Sequence, residues 1–172
     1  MDINSQLLRE HSKENKDLIL NYLIEHPQQV SNLMEVFFKS ETMMVQRAAW
    51  VVGGLGEKRP ELIKPYHAKM VAVLKGRDAQ DAVKRNILRV LQFQEIEETL
   101  WGDLYDCCIR ILTSNLEPVA VKVFAMTTAY NIVKEMPELK GELLVAVEDV
   151  IAEGTPGEKS RGQKILTALS KI

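Results

Sequence analysis

The sequence predicts an all-α chain built as a solenoid of antiparallel helix pairs, and three observations predict it. A basic residue recurs near the start of every second helix: Arg47, Arg85, Lys122 and Arg161 stand 38, 37 and 39 residues apart. The ends of the first helices, Phe38, Leu74, Leu112 and Ile151, keep the same count at intervals of 36, 38 and 39 residues. Apolar residues follow helical spacing along the chain, with almost no strand-like alternation. A period this steady means one helix-pair unit repeated, each copy covering the apolar face its neighbour cannot bury alone.

The elements follow in order. Residues 4–25 read as a first, capping helix: Leu18, Ile19, Tyr22 and Leu23 give its apolar stripe, and the stretch from Arg9 to Lys16 is polar, as a terminal helix facing water requires. His26-Pro27 stops it. The first pair, 27–57, places Val30, Leu33, Met34, Phe37 and Phe38 on one helix. After a turn at Ser40-Glu41-Thr42 its partner buries Val45, Ala48, Ala49, Val52 and Leu55. Arg47, Trp50 and Gly54 fall on the side away from that stripe, because a two-residue step rotates a helix by roughly 200°. Gly53-Gly54-Leu55-Gly56 sits at its end, where glycine ends a helix or lets another backbone come close.

The second pair, 60–93, opens at Pro60-Glu61-Leu62, where proline fits the first turn. Its first helix runs through Tyr66, Met70 and Val73 to Leu74, and Gly76-Arg77-Asp78 turns the chain. The partner helix buries Val83, Ile87, Val90 and Leu91 and presents Arg85, Arg89 and Gln92 on the other face. The third pair, 95–136, contains a helix from Val119 that is apolar nearly all round and so must be covered on most sides. Pro137-Glu138-Leu139 echoes Pro60-Glu61-Leu62 and opens the fourth pair, 137–172, across the turn Glu153-Gly154-Thr155-Pro156-Gly157. The expectation is a single domain over 1–172, of about nine helices.

Helix pairs of this length, opened by Pro-Glu-Leu and carrying a basic residue early in the second helix, resemble HEAT repeats, a class of armadillo-like α-solenoid. The resemblance covers nearly the whole chain. It implies a right-handed α-α superhelix whose second helices line a concave side. It also implies an acidic turn residue before each basic one. Glu41 before Arg47 and Glu117 before Lys122 fit, whereas Asp81 before Arg85 and Glu158 before Arg161 stand closer than the pattern prefers.

Composition bounds the function. The 172 residues are 46% hydrophobic and 27% charged with a net charge of −2, an ordinary globular balance and not the basic excess of a dedicated nucleic-acid binder. No apolar run approaches the roughly 18 residues of a membrane span, and the first residues lack a secretory pattern. A cytoplasmic location is expected. The adjacent Cys107 and Cys108 point in different directions on a helix and are expected to be buried, reduced thiols.

The candidate ligand-binding groove consists of Arg47, Trp50, Arg85, Arg89, Lys122, Arg161 and Lys164. On the concave side a row of cations about 10 Å apart, one per helix layer, suits carboxylates or phosphates. The alternative is that these residues bond turn carboxylates and neighbouring carbonyls and so tie the repeats together. Trp50, one turn from Arg47, is either an aromatic binding anchor or a packing residue against the next unit. Trp101 reads as packing.

No catalytic residue, metal site or cofactor is expected. Gly154 to Ser160 has the wrong spacing for a phosphate-binding loop and follows a helix, not a strand. His11, His26 and His67 lack metal-ligand spacing. All-helical lyases of the adenylosuccinate lyase type share only Met136-Pro137 with this chain. The function expected is a non-enzymatic scaffold that binds a protein or peptide of acidic character, as a monomer or weak dimer. The alternative is nucleic-acid binding: Arg47 to Trp50 faintly resembles the HEAT-like DNA glycosylases that act on alkylated bases, although no acidic residue matches their motif. A third possibility is self-association through an open end carrying Ile165, Leu169 and Ile172.

Overall fold

The structure, a computed structural model, describes residues 1–39, 42–76 and 79–172, with Thr42 described in its backbone alone. Glu41, expected to partner Arg47, and the turn residues Ser40, Arg77 and Asp78 lie outside the described residues. Among the described residues the chain is helical without a strand, and ten α-helices follow one another. They are α1 (Ile3–Arg9), α2 (Lys13–Glu25), α3 (Val30–Lys39), α4 (Thr42–Lys58), α5 (His67–Lys75), α6 (Asp81–Leu91), α7 (Trp101–Thr113), α8 (Val119–Glu135), α9 (Lys140–Glu153) and α10 (Pro156–Leu169). The contacts divide the chain into two compact units, one of residues 1–70 and 82–95, the other of residues 71–81 and 96–172.

In the first unit the expected capping helix is two helices. The chain breaks at Glu10-His11-Ser12, where Ser12 caps α2 by accepting the Asn15 amide at 3.1 Å. The polar run read as one wet helix face is a cap and a turn. α1 docks by Ile3 and Leu7, and Asn15 ties it to α2 by donating to the carbonyls of Gln6 and Glu10 at 2.9 Å. On α2 the buried apolar residues are Ile19, Leu20 and Leu23, while Leu18 is exposed, since α4 covers α2 one residue round from the expected stripe.

α3 and α4 pack as the expected pair, burying Val30, Leu33, Met34 and Phe37 against Val45, Ala48, Val52 and Leu55. The glycines Gly53, Gly54 and Gly56 do not end α4, which runs on to Lys58. Gly54 is buried: a Cβ there would stand 2.9 Å from Leu20 Cδ2 and 3.3 Å from Lys16 Cε, so its bare backbone lets α2 lie close. α4 is thus covered on the face away from its stripe as well.

The segment from Pro60 to Leu74 is less regular than expected. Two 3-10 turns, Pro60–Leu62 and Lys64–Tyr66, precede α5, because Pro65 cannot supply the N–H a continuous helix would use. On α6, Val83 is only half-buried. Gln92, expected on the open face, is 6% exposed, with its amide donating to the Arg89 carbonyl at 3.2 Å.

In the second unit α7 pairs with α8 and α9 with α10, α8 touching both α9 and α10. That central place explains the all-round apolar sequence of α8. Tyr105 donates to the Leu139 carbonyl at 3.1 Å, and Arg110 reaches the Leu74 and Lys75 carbonyls. Trp101 is half-buried, its indole N–H on the Ile96 carbonyl at 2.9 Å. Thr155 and Glu158 form a capping box that starts α10, so Glu158 serves the cap. Gly162 lets α10 lie against α9, since a Cβ there would collide with Ile151 Cγ2. Ile165 and Leu169 are buried; of the three residues expected to leave the end open, Ile172 alone is exposed. The helical packing of α10 on α8 and α9 accounts for the other two.

Candidate functional site

The seven candidate residues divide between the two units. Arg47, Trp50, Arg85 and Arg89 belong to the first, and Lys122, Arg161 and Lys164 to the second. Each set has its own geometry.

Arg47 is half-buried on α4 and turns back to α1. Its Nη1 donates to the carbonyl of Leu7 at 2.7 Å and to that of Leu8 at 3.0 Å. These are last-turn carbonyls of α1, which lack intrahelical donors, and a cation is the favoured partner at that end of a helix. One turn on, Trp50 is half-buried beneath the α1–α2 connection. His11 lies against its ring at a centroid distance of 5.1 Å, and Lys16 Nζ stands 6.0 Å from the ring centroid. Lys16 is also bound to Asp17 at 2.8 Å, a hydrogen bond that holds the Asp17 carboxyl below its ordinary pKa.

Trp50 opens on its other side into a pocket of about 140 Å³. α4 supplies Trp50, Gly53, Gly54 and Glu57, α2 supplies Lys16, and Arg89, Val90 and Phe93 come from α6 and the turn after it. The period-3.6 register explains the convergence: 50, 53, 54 and 57 share one face of α4, and 89 and 93 one face of the second segment. The structure therefore brings Trp50 and Arg89 together. It does not bring Arg47 or Arg85 to this pocket. Among the described residues neither Arg85 nor Arg89 makes an ion pair, and Arg89 is exposed. Phe93 is 69% exposed, the most exposed aromatic residue in the chain's described part.

Lys122 sits apart, in a depression of about 500 Å³ in the second unit, beside Asp149 and Glu153 of α9 and near Leu112 and Thr113 of α7. The surroundings of this cation are acidic. Arg161 donates to Thr127 Oγ1 at 2.8 Å, tying α10 to α8, and Lys164 is exposed on α10. Arg47 and Arg161 thus hold neighbouring elements in place, by a carbonyl pair and a hydroxyl respectively.

Sequence reasoning missed Phe93, Lys16, His11 and Gly53. Phe93 follows the last helical turn, and an aromatic there gives no periodic signal. Gly53 stands among three glycines in four residues, which suit a helix end or a close backbone approach; the approach is found at Gly54, and Gly53 lines the pocket instead.

Among the described residues no group of three or more His, Cys, Asp or Glu is placed to hold a metal, and no helix is long and apolar enough to cross a membrane. Cys107 and Cys108 are buried and free, and burial pushes both thiols above their ordinary pKa, which removes the thiolate a nucleophile needs.

The repeat period, the paired helices and the packing of α7 to α10 all belong to one kind of architecture. A HEAT repeat domain profile matches residues 3–169. The chain belongs to the HEAT-repeat family. No curated protein and no solved structure matches it. HEAT-repeat chains are helical repeat scaffolds, commonly engaged in protein interactions and generally not enzymes.

Proposed function

We propose that this HEAT-repeat chain is a non-enzymatic module that binds a protein or peptide segment through the Trp50–Arg89–Phe93 pocket of its first unit. One observation carries the proposal. Two aromatic rings and a cation without a described carboxylate converge on one pocket, and the chain's own packing leaves Arg89 and Phe93 at the surface. Buried aromatics and arginines dominate the energetics of protein interfaces. Arg89 is placed to take a carboxylate of the partner, with two parallel N–H bonds available from its planar fork.

The site is narrower than the seven-residue row expected from the repeat register. Arg47 and Arg161 act in structural bonds, which supports the tying role for those two. Lys122 lies beside two carboxylates and makes a poor clamp for an acidic segment. Arg85 extends the cationic side of α6 and belongs to the test.

The test is selection of binding peptides on the full chain, followed by titration of the selected peptides against Arg85→Ala/Arg89→Ala and against Phe93→Ala. Both variants should weaken binding at least tenfold. Phe93→Ala, at an exposed position, should leave the melting temperature within about 2 °C, and the single Arg89→Ala, also exposed, serves as the stability control for the double variant that includes half-buried Arg85. Binding unchanged in both variants would place the interface elsewhere. A single-stranded oligonucleotide bound in competition with the peptides, with affinity falling about one log–log unit per phosphate contact as salt rises, would favour nucleic acid instead.

A further inference from the structure

Gly53 has no reason within the chain to be glycine. Gly54 and Gly56 do: a Cβ on Gly54 would press on Leu20, and one on Gly56 would stand 2.5 Å from the Gln94 amide nitrogen. A Cβ on Gly53 meets nothing within 4 Å. Gly102 and Gly141 also meet nothing, but they stand exposed in the first turns of α7 and α9. Gly53 is mid-helix, half-buried, and part of the pocket wall. A glycine in a helix interior disfavours the helix by about 1 kcal/mol relative to alanine. Gly53 lines the pocket together with Trp50 and Phe93.

The volume sets the guest. The pocket is open to solvent and offers about 140 Å³, room on the scale of one aromatic ring, which occupies an enclosed cavity of roughly 150 Å³. Two rings line it, and aromatic side chains attract a third in tilted or offset contact. Charge sets the guest's neighbours. Lys16 is already held by Asp17, and Glu57 lies on the same wall, so the pocket is not a strongly positive surface. A phosphate backbone running through it would meet Glu57 as well as Arg89. A single carboxylate needs one cation, and Arg89 supplies it.

We propose that this pocket is a slot for a single aromatic side chain of a partner protein, entered over the bare backbone of Gly53, with a carboxylate of the same segment seated on Arg89. The proposal rests on the reading of this pocket as a protein-binding site and names what the partner must present. A leucine at position 53 fills the slot from below. It also improves the helix, so loss of binding and gain of stability occur in one variant.

The probe is 3-phenylpropionate, a ring with a carboxylate, titrated into the full chain while the Trp50 indole N–H, which every variant retains, is followed by NMR. Phenethylamine keeps the ring and reverses the charge; hexanoate keeps the charge and removes the ring. A ligand this small should bind with a Kd on the order of millimolar. The expected order is phenylpropionate tightest, with phenethylamine and hexanoate each at least several-fold weaker. Gly53→Leu should abolish the shift while raising the melting temperature. Arg89→Ala should erase the difference between phenylpropionate and phenethylamine, and Phe93→Ala, at an exposed position, should weaken all ring binding without unfolding. Hexanoate binding as well as phenylpropionate, or ring binding that survives Gly53→Leu, would overturn the proposal. So would selected peptides that need Arg89 but contain no aromatic residue, an outcome that leaves the protein-binding reading intact. If no peptide is selected at all, the protein-binding reading itself falls and the slot proposal with it.

Discussion

Two glycine-to-alanine substitutions, one in each unit, should change stability in opposite directions. Gly53 in α4 and Gly162 in α10 are both interior helix residues, so each gains the same propensity, about 0.8–1.0 kcal/mol, on acquiring a methyl group. At Gly53 the methyl meets nothing within 4 Å, and the gain is expressed whole. At Gly162 it collides with Ile151 Cγ2 and comes within 3.3 Å of Val147 Cγ1. Cγ2 is the branch methyl of a β-branched residue, fixed by a stiff χ1, so it cannot swing aside as the end of a long side chain would. Overpacking of this kind costs about 1–3 kcal/mol. The net for Gly162→Ala is a loss of up to about 2 kcal/mol, and the difference between the two variants is about 1–3 kcal/mol. Urea unfolding followed by circular dichroism reads both, with the m-value checked in each variant so that a shift in midpoint reports stability. Ile151→Leu removes Cγ2, and combining it with Gly162→Ala should recover part of the loss as a coupling energy. Gly162→Ala at least as stable as Gly53→Ala would refute the close α9–α10 approach.

Three further outcomes are expected. Arg47→Ala strips two hydrogen bonds from the last-turn carbonyls of α1 and should destabilise by about 1–2 kcal/mol, with amide exchange rising in α1 and α2 and not in α7 to α10. Thr155→Ala breaks the capping box and should cost about 1 kcal/mol, whereas Thr155→Ser should cost much less; equal losses would mean that the hydroxyl is not the cap. Neither Cys107 nor Cys108 should react with a thiol reagent at pH 8 until the chain unfolds. Burial raises both folded pKa values above the ordinary 9.0, so the unfolded state releases protons first: this contribution to stability is complete below pH 9 and is lost as pH rises beyond it. A midpoint of denaturation that climbs between pH 9 and 10.5 would contradict that sign.

The period of the chain was legible because it depends on spacing, and spacing survives any detail of packing. The basic row located α4, α6, α8 and α10, and the Pro-Glu-Leu turns located the connections before α5 and α9. The break at Ser12 was not legible in the same way: a serine amid polar residues suits a wet helix face as well as a cap, and the Asn15 amide decides between them. Pro65 did carry a sequence signal for the interrupted helix before α5, and it outweighed the apolar spacing around it. At the site, residue type was readable and direction was not. Arg47 and Arg85 share a register, yet Arg47 bonds the α1 carbonyls and Arg85 makes no ion pair among the described residues, because α1 lies against the first of them. Leu18 and Gln92 went astray by a similar margin, a fraction of a helical turn.

The bond from Arg47 to α1 also orders events during synthesis. The carbonyls of Leu7 and Leu8 are completed by a side chain 40 and 39 residues further along. At 5–20 residues per second a ribosome takes roughly 2–8 s to make that distance. Through that interval α1 has two helix-end acceptors open to any other donor, and a chaperone or a neighbouring nascent chain meets Ile3 and Leu7 before α4 does. α1 is therefore completed only once α4 has been made, and a translational pause placed before Arg47 would lengthen the window in which the first unit can go wrong.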